Sequence, residues 1–343
     1  MRSISCAKVS NKKISVFLIA SIFLMSIFFY GTMLKNTFSF ISTDIENSDK
    51  NPSTTLNTIN LAKESEILSH IIFDSIETDL ELTYTTIIVI SSHVDNRNRR
   101  NMIRETWGSI FNWVTNEKYL IVFVVARTTN ARAMIEIADE AKIRRDILYL
   151  DIFEDFYLLT KKVIIALTWA NKKISFKTLL KGDDDTYMHL DNIIKFVKKI
   201  DVTDGYFGNK ISNAYVQREG KYQVSKEELE KDFYNPYCSG GGFILTNSSV
   251  HKMILLFDLN KIFRIDDAFI GEIAFQAGIT VTQADGFFMY NSGCKYEKNV
   301  IVSHPNKDPE CNNFLLKRSL IDNGKLLRDF KLENQSCFCK NAC

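Results

Sequence analysis

The chain has almost no net charge, no C-x-x-C pair, no internal repeat, and no Pro- or Ser-rich linker between the halves of its long C-terminal part. Lysine plus arginine exceed aspartate plus glutamate by 43 − 41 = 2. No global basic field therefore draws it to nucleic acid, and no acidic excess marks a disordered solvating chain. Any ligand must be caught locally. The lack of C-x-x-C pairs weakens a zinc-knuckle reading, and the lack of a linker favours one mixed domain over two. With 343 residues, 45% hydrophobic and 24% charged, the chain is long enough to bury a real core.

One stretch has no charge at all. "ISVFLIASIFLMSIFFYGTML", residues 14–34, would span roughly 30 Å at helical rise, the thickness of a bilayer's hydrocarbon core. Arg2, Lys8, Lys12 and Lys13 precede it, which predicts a cytosolic tail and a single-pass type II topology. A cleaved signal peptide is the rival, but the apolar run is long and no small-x-small cleavage pattern follows. Of seven cysteines, Cys6 falls on the cytosolic side, leaving Cys238, Cys294, Cys311, Cys337, Cys339 and Cys343 in an oxidising lumen. Three bridges among them are possible, disulfides being favoured over zinc, with connectivity open. Sequons at Asn247 and Asn334 fit the same compartment.

Polar Asn, Ser and Thr dominate after Lys35, followed by "ESEILSHIIFDSI", which predicts one short helix in a stem. From Thr85 onward, β-branched runs alternate with helical stretches: "TTIIVISSH", "KYLIVFVVA", "DILYLDI" and "FKTLLK" are the strands. Alternation of this kind predicts an open α/β sheet with parallel pairing and right-handed crossovers. The expected division is a tail over 1–13, a signal anchor over 14–34, a stem over 35–82 and a lumenal domain over 83–343.

Ligands of such sheets sit beyond the carboxyl ends of the strands, and "LLKGDDDTYM" puts Asp183, Asp184 and Asp185 at such an end. A solvated turn or a helix cap is the plain structural reading. The functional one is that two carboxylates spaced by one residue share a hard cation, which removes their mutual repulsion and leaves positions open to phosphate oxygens. Three glycines in "YNPYCSGGGFILT" weaken a strand, so they mark either a bulge or a wall that something approaches closely. Asp266 and Asp267 open a helical pattern and read as an ordinary N-terminal cap, or else as a general base opposite a metal-held leaving group. "RNRRNMIRETWG" reads as an exposed charged helix or as arginines at a diphosphate. His304 is a lone histidine, more often structural than a ligand.

Taken in order, "RRNMIRETWG", "DIFEDFYLLTKKVIIALTW", "LLKGDDDTYM", "GKYQVS", "YNPYCSGGGFILT" and "DDAFIGEIAFQAGI" resemble glycosyltransferase family 31, the β1,3-galactosyl- and β1,3-N-acetylglucosaminyltransferases of the Golgi. The resemblance covers about Thr85 to His304. It implies a GT-A type, Rossmann-like mixed sheet with flanking helices, a UDP-sugar donor, a divalent metal (manganese before magnesium), a glycan acceptor on lipid or protein, and a Golgi-membrane location with the catalytic domain in the lumen. Asp183 and Asp185 match the DxD positions, the last acid on the metal and the first near the ribose, with Asp184 between them on the donor side. Asp267 matches the family's catalytic base, and His304 its C-terminal metal-site histidine. Arg100, Arg104 and Trp107 match the first motif, and Lys162 the Lys of Leu-Thr-x-Lys, with the two arginines and Lys162 expected at the donor. Asp266, Ala268, Leu158 and Tyr222 stand where Glu, Val, Asn and Trp are usual. The expected activity is inverting transfer of galactose or N-acetylhexosamine to a sugar hydroxyl in a β1,3 linkage. The alternatives are a membrane-anchored, metal-dependent glycan-binding protein and an inactive scaffold.

Overall fold

The structure, a computed structural model, describes residues 52–79, 81–291 and 293–324. The expected tail, spanning helix and first part of the stem, together with Cys6, Cys337, Cys339, Cys343 and the Asn334 sequon, lie outside the described residues. Among the described residues no helix is long and apolar enough to cross a membrane.

The four expected strands are present: β2 (Tyr84–Ser92), β3 (Tyr119–Arg127), β4 (Ile147–Phe153) and β5 (Phe176–Asp183). All pair in parallel in the order β4-β3-β2-β5. Helices α2 (Arg97–Glu105), α3 (Ala131–Arg144) and α4 (Leu159–Lys173) make the crossovers. Strand β2 shows why these runs are almost wholly apolar. Ile87 and Val89 point into the core on one face of the sheet, and Ile88 and Ile90 into the core on the other, so both faces must be covered. Each such side chain contributes about 1.5–3 kcal/mol when removed from water.

Beyond β5 the sheet is mixed, with two antiparallel pairs and then a parallel one. Strand β8 (Tyr237–Thr246) pairs with β5 and with β7 (Tyr206–Ile211), and β9 (Val281–Gln283) forms the far edge. Helices α6 (Asn247–Ile254) and α7 (Asp266–Gln276) follow β8 as their sequence pattern predicts. Between β5 and these elements lie the short strand β6 (Tyr187–Met188) and helix α5 (Leu190–Val197). The chain leaves β2 toward β3 and β4 on one side and returns to β5 on the other, so the strand order reverses between β2 and β5. The crevice at their carboxyl ends is the switch point where such sheets take ligands.

A second, three-stranded sheet has the order β10-β11-β6, with β10 (Phe287–Met289) and β11 (Val302–His304). Its register sets Ser303 opposite Tyr187, which carries His304 back to the acidic run that ends two residues before Tyr187. Helix α8 (Pro309–Asp322) closes this side.

The stem reading needs correction. Helix α1 (Pro52–Leu68) is followed not by more helix but by strand β1 (Ile71–Asp74), which pairs antiparallel with β4. Ile67 is buried in the core beneath α4, and the Trp169 indole N–H donates to Asp74 Oδ2 at 2.7 Å. These residues fall in the compact unit that runs from Asn60. Cys294 is bonded to Cys311, whereas Cys238 is a buried free thiol, which removes it from the set of possible bridges.

Candidate active site

Strand β5 delivers the acidic run. Its last residue, Asp183, accepts from Lys181 Nζ at 3.0 Å. Asp185, past the strand end, lies with one oxygen 3.4 Å from His304 Nε2 and the other 3.6 Å from Lys307 Nζ. One ligand atom from each of Asp183, Asp185 and His304 lies within 4.8 Å of the others, and among the described residues no other such group occurs. Two carboxylates and an imidazole are a donor set that could hold a divalent cation. The turn behind them is fixed by the Trp107 indole, which donates to the Thr186 carbonyl at 3.1 Å.

Electrostatics separates the two acids. Burial pushes the Asp183 carboxyl up, and nearby Asp266 adds to this, while Lys181 opposes both. For Asp185, burial acts upward too but is outweighed by His304, Lys307 and Arg99, which hold it below the ordinary carboxylate range. Asp185 is therefore ready to bind a cation as the anion.

The three glycines of β8 form a wall that side chains press against. A Cβ on Gly240 would meet Asp267 Oδ2 at 3.3 Å, one on Gly241 would meet His304 Cγ at 2.5 Å, and one on Gly242 would meet Val302 at 2.8 Å. Both readings of that run hold: side chains approach it closely, and the β7–β8 register shifts across it, Gly208 pairing with Phe243 and Lys210 with Cys238. Asp267, in the first turn of α7, accepts from the Gly240 N–H at 2.9 Å through Oδ2 and from the Ala268 N–H at 2.8 Å through Oδ1. Burial, with Asp266 next to it, pushes its carboxyl up to about 7 against the pull of Lys181 and the two amides. A group poised there can take a proton near neutral pH.

On the other side of the acidic run, a cleft of about 330 Å³ is lined by Ser91, Ser92, Phe156, Lys162, Asp183 and Asp184 among others. Asp184 is buried on its wall and accepts from Ser92 Oγ, Asn96 Nδ2 and Arg99 Nη1, each at 2.8 Å. Lys162 donates to the Ser92 carbonyl at 2.7 Å and to Glu154 at 2.8 Å, and its burial lowers its pKa despite Glu154. Tyr222 stands edge-on to Phe156 at 5.8 Å, with the Lys221 ammonium over both rings.

The arginines fall differently from expectation. Arg100 is buried and forks onto Glu140 with two bonds of 2.8 Å, its remaining donors going to Ser92 Oγ and the carbonyls of His93 and Val94. Arg104 is spent on Asp146, Glu140 and Asn101. Neither guanidinium lines the cleft, because acids 40 and 42 residues further along claim them. Arg99, which went unremarked in the sequence, is the arginine that reaches the acidic run. Lys181 was also missed. A lysine inside the apolar strand "FKTLLKGD" was the available signal, because a buried ammonium needs partners.

The family profile described as galactosyltransferase matches residues 98–285. This chain belongs to that family, glycosyltransferase family 31, whose motifs its sequence carries. Curated relatives include N-acetyllactosaminide β-1,3-N-acetylglucosaminyltransferase 4 of Homo sapiens, 30% identical over 207 residues, 59% of this chain and 54% of that protein. N-acetyllactosaminide β-1,3-N-acetylglucosaminyltransferase 3 of Homo sapiens is 32% identical over 193 residues, 54% of this chain and 52% of that protein. The β-1,3-galactosyltransferase brn of Drosophila melanogaster is 28% identical over 233 residues, 65% and 70% of the two chains. The alignments thus span about half the length of the first of these relatives. Mouse xyloside xylosyltransferase 1 superposes at a TM-score of 0.34 with 11% identity, covering 66% of this chain and 98% of that one, too loose a match to argue from.

Proposed function

We propose that the protein is an inverting GT-A type glycosyltransferase that moves galactose or an N-acetylhexosamine from a UDP-sugar to a sugar hydroxyl, forming a β1,3 linkage. Family membership supports the reaction class, and one observation carries the mechanism. The glycine wall of β8 has a carboxylate of neutral pKa, Asp267, against Gly240 and the acid-and-histidine cluster against Gly241.

In this reading the donor lies in the cleft between β2 and β5. Asp183, Asp185 and His304 would hold a divalent cation, manganese before magnesium, which supplies positive charge to the donor's diphosphate. Asp267 takes the proton of the acceptor hydroxyl as that oxygen attacks the anomeric carbon. The bond from that carbon to the diphosphate oxygen breaks, and its electron pair leaves with UDP. Attack from the face opposite the leaving group turns an α-linked donor into a β-linked product. The amides of Gly240 and Ala268 hold the Asp267 carboxylate in place, and Phe156, with Tyr222 edge-on to it, gives the cleft an aromatic lining suited to a sugar or base. A Golgi-lumenal location behind an N-terminal anchor over 14–34 completes the proposal, on the charge pattern of the sequence.

The test incubates the lumenal part from Asn60 onward with a panel of UDP-sugars and glycan acceptors, with manganese and with chelator. Transfer that needs the metal and disappears in Asp267→Asn supports the reading. Glycan binding without release of UDP would leave a lectin instead.

A further inference from the structure

Lys181 is 1% exposed and sits where three elements of the site meet. Its ammonium donates to Asp183 Oδ1 at 3.0 Å on its own strand β5 and to the Gly240 carbonyl at 2.9 Å on β8. It also forms an ion pair at 3.0 Å with Asp266 Oδ2 on α7, a charge contact without hydrogen-bond alignment. Among the described residues Lys181 is the only ion-pair partner of Asp266. The ammonium thus donates to the acid run and to the glycine wall, and its charge faces the base helix.

We propose that Lys181 is a positioning residue that ties the acidic run to the base helix and keeps Asp267 seated on Gly240. The inference rests on the reading of Asp267 as the base. Gly240 is gripped at both ends, its carbonyl by Lys181 and its N–H by Asp267, so movement of the lysine is passed directly to the carboxylate. The charge argument runs in parallel. Facing Asp267 are Asp266 on its own helix, Lys181 from β5, Tyr206 from β7, Tyr237 and Cys238 from β8, and Tyr234 from the loop before it. Burial raises the tyrosines and the thiol above their ordinary values, so at assay pH they are neutral. Among the described residues, that leaves Lys181 as the one cation paired with Asp266. Without it, two neighbouring carboxylates face each other unscreened and Asp267 holds its proton to higher pH.

The experiment compares Lys181→Met, Lys181→Arg, Asp266→Asn and the Lys181→Met/Asp266→Asn double variant in the lumenal protein, with circular dichroism for folding, kcat against pH, and UDP–manganese binding by calorimetry. Lys181→Met should lose about a hundredfold in kcat and move the acidic limb of the profile up by about one pH unit or more. Lys181→Arg, which keeps the charge without the three-way geometry, should restore the limb but not the rate. The double variant should lose no more than the worse single, because the two residues act through one contact. It also removes both charges together, so it keeps the test alive if Lys181→Met does not fold. A folded Lys181→Met with the wild-type limb and rate, or additive losses in the double variant with the limb unmoved, overturns the proposal while leaving Asp267 as the base. Wild-type transfer by Asp267→Asn overturns the base assignment itself.

Discussion

Gly241 and His304 lie so close that a single methyl group on the glycine would sit 2.5 Å from the imidazole Cγ and 2.9 Å from the histidine Cβ. Those are atoms at the root of the side chain, which cannot swing away without moving β11. Gly241→Ala should therefore displace His304 from Asp185 and weaken manganese binding about 10–100-fold, the range seen when a ligand's support is lost. Calorimetric titration with manganese checks this, and unchanged affinity would remove His304 from the cation site.

Asp267 makes a claim on both rate and stability. Because its folded pKa is raised to about 7, the folded protein keeps a proton through the window from about pH 4 to 7 that the unfolded chain has already lost. Stability from this group therefore falls as pH rises across that window. Asp267→Asn should melt like wild type near pH 4 and at least about 2 °C higher at pH 8, while its sugar transfer collapses. The wild-type rate should fall as pH drops below about 7 because the base becomes protonated. Thermal melts and transfer rates at a series of pH values give both answers.

Strands β2 to β5 were legible because each is covered on both faces and reads as one largely apolar run, and the acidic run was legible because it follows the last of them at its carboxyl end. Strand β1 was not. Its four residues "IIFD" continue a pattern that also fits a helix, and only the open edge of β4 tells them apart. Lys181, Arg99 and the pairing of Arg100 with Glu140 were hidden for another reason. Each depends on which distant partner the fold brings within 3 Å, and spacing along the chain does not name that partner.

Arg100 gives that point an energy. Breaking a buried ion pair by removing one partner costs about 3–5 kcal/mol, so Arg100→Met should show a loss of that size in denaturant. Arg99→Gln, at a half-buried side chain whose partner Asp184 keeps two other donors, should lose about 1–2 kcal/mol. Measured at a temperature where it is folded, Arg100→Met should bind UDP and manganese like wild type. A tenfold loss of UDP affinity in the folded variant would return Arg100 to the donor site.

The Cys294–Cys311 bridge closes a segment of separation 17 that carries β11 and His304 within it. By chain entropy a loop of that length contributes about 3 kcal/mol, so Cys294→Ser/Cys311→Ser should lose that much in denaturant. Because the closed segment also carries His304, the proposed cation ligand, the variant should bind manganese more weakly even where it is folded. Cys238 should behave oppositely, since it is buried beside Gly208 and bonded to nothing that would hold it oxidised. Alkylation followed by peptide mapping should find a linked Cys294–Cys311 peptide without reduction, and Cys238 modified only after unfolding. A bridge from Cys238 to another cysteine would mean that β8 is reached by a segment that this arrangement leaves outside the core.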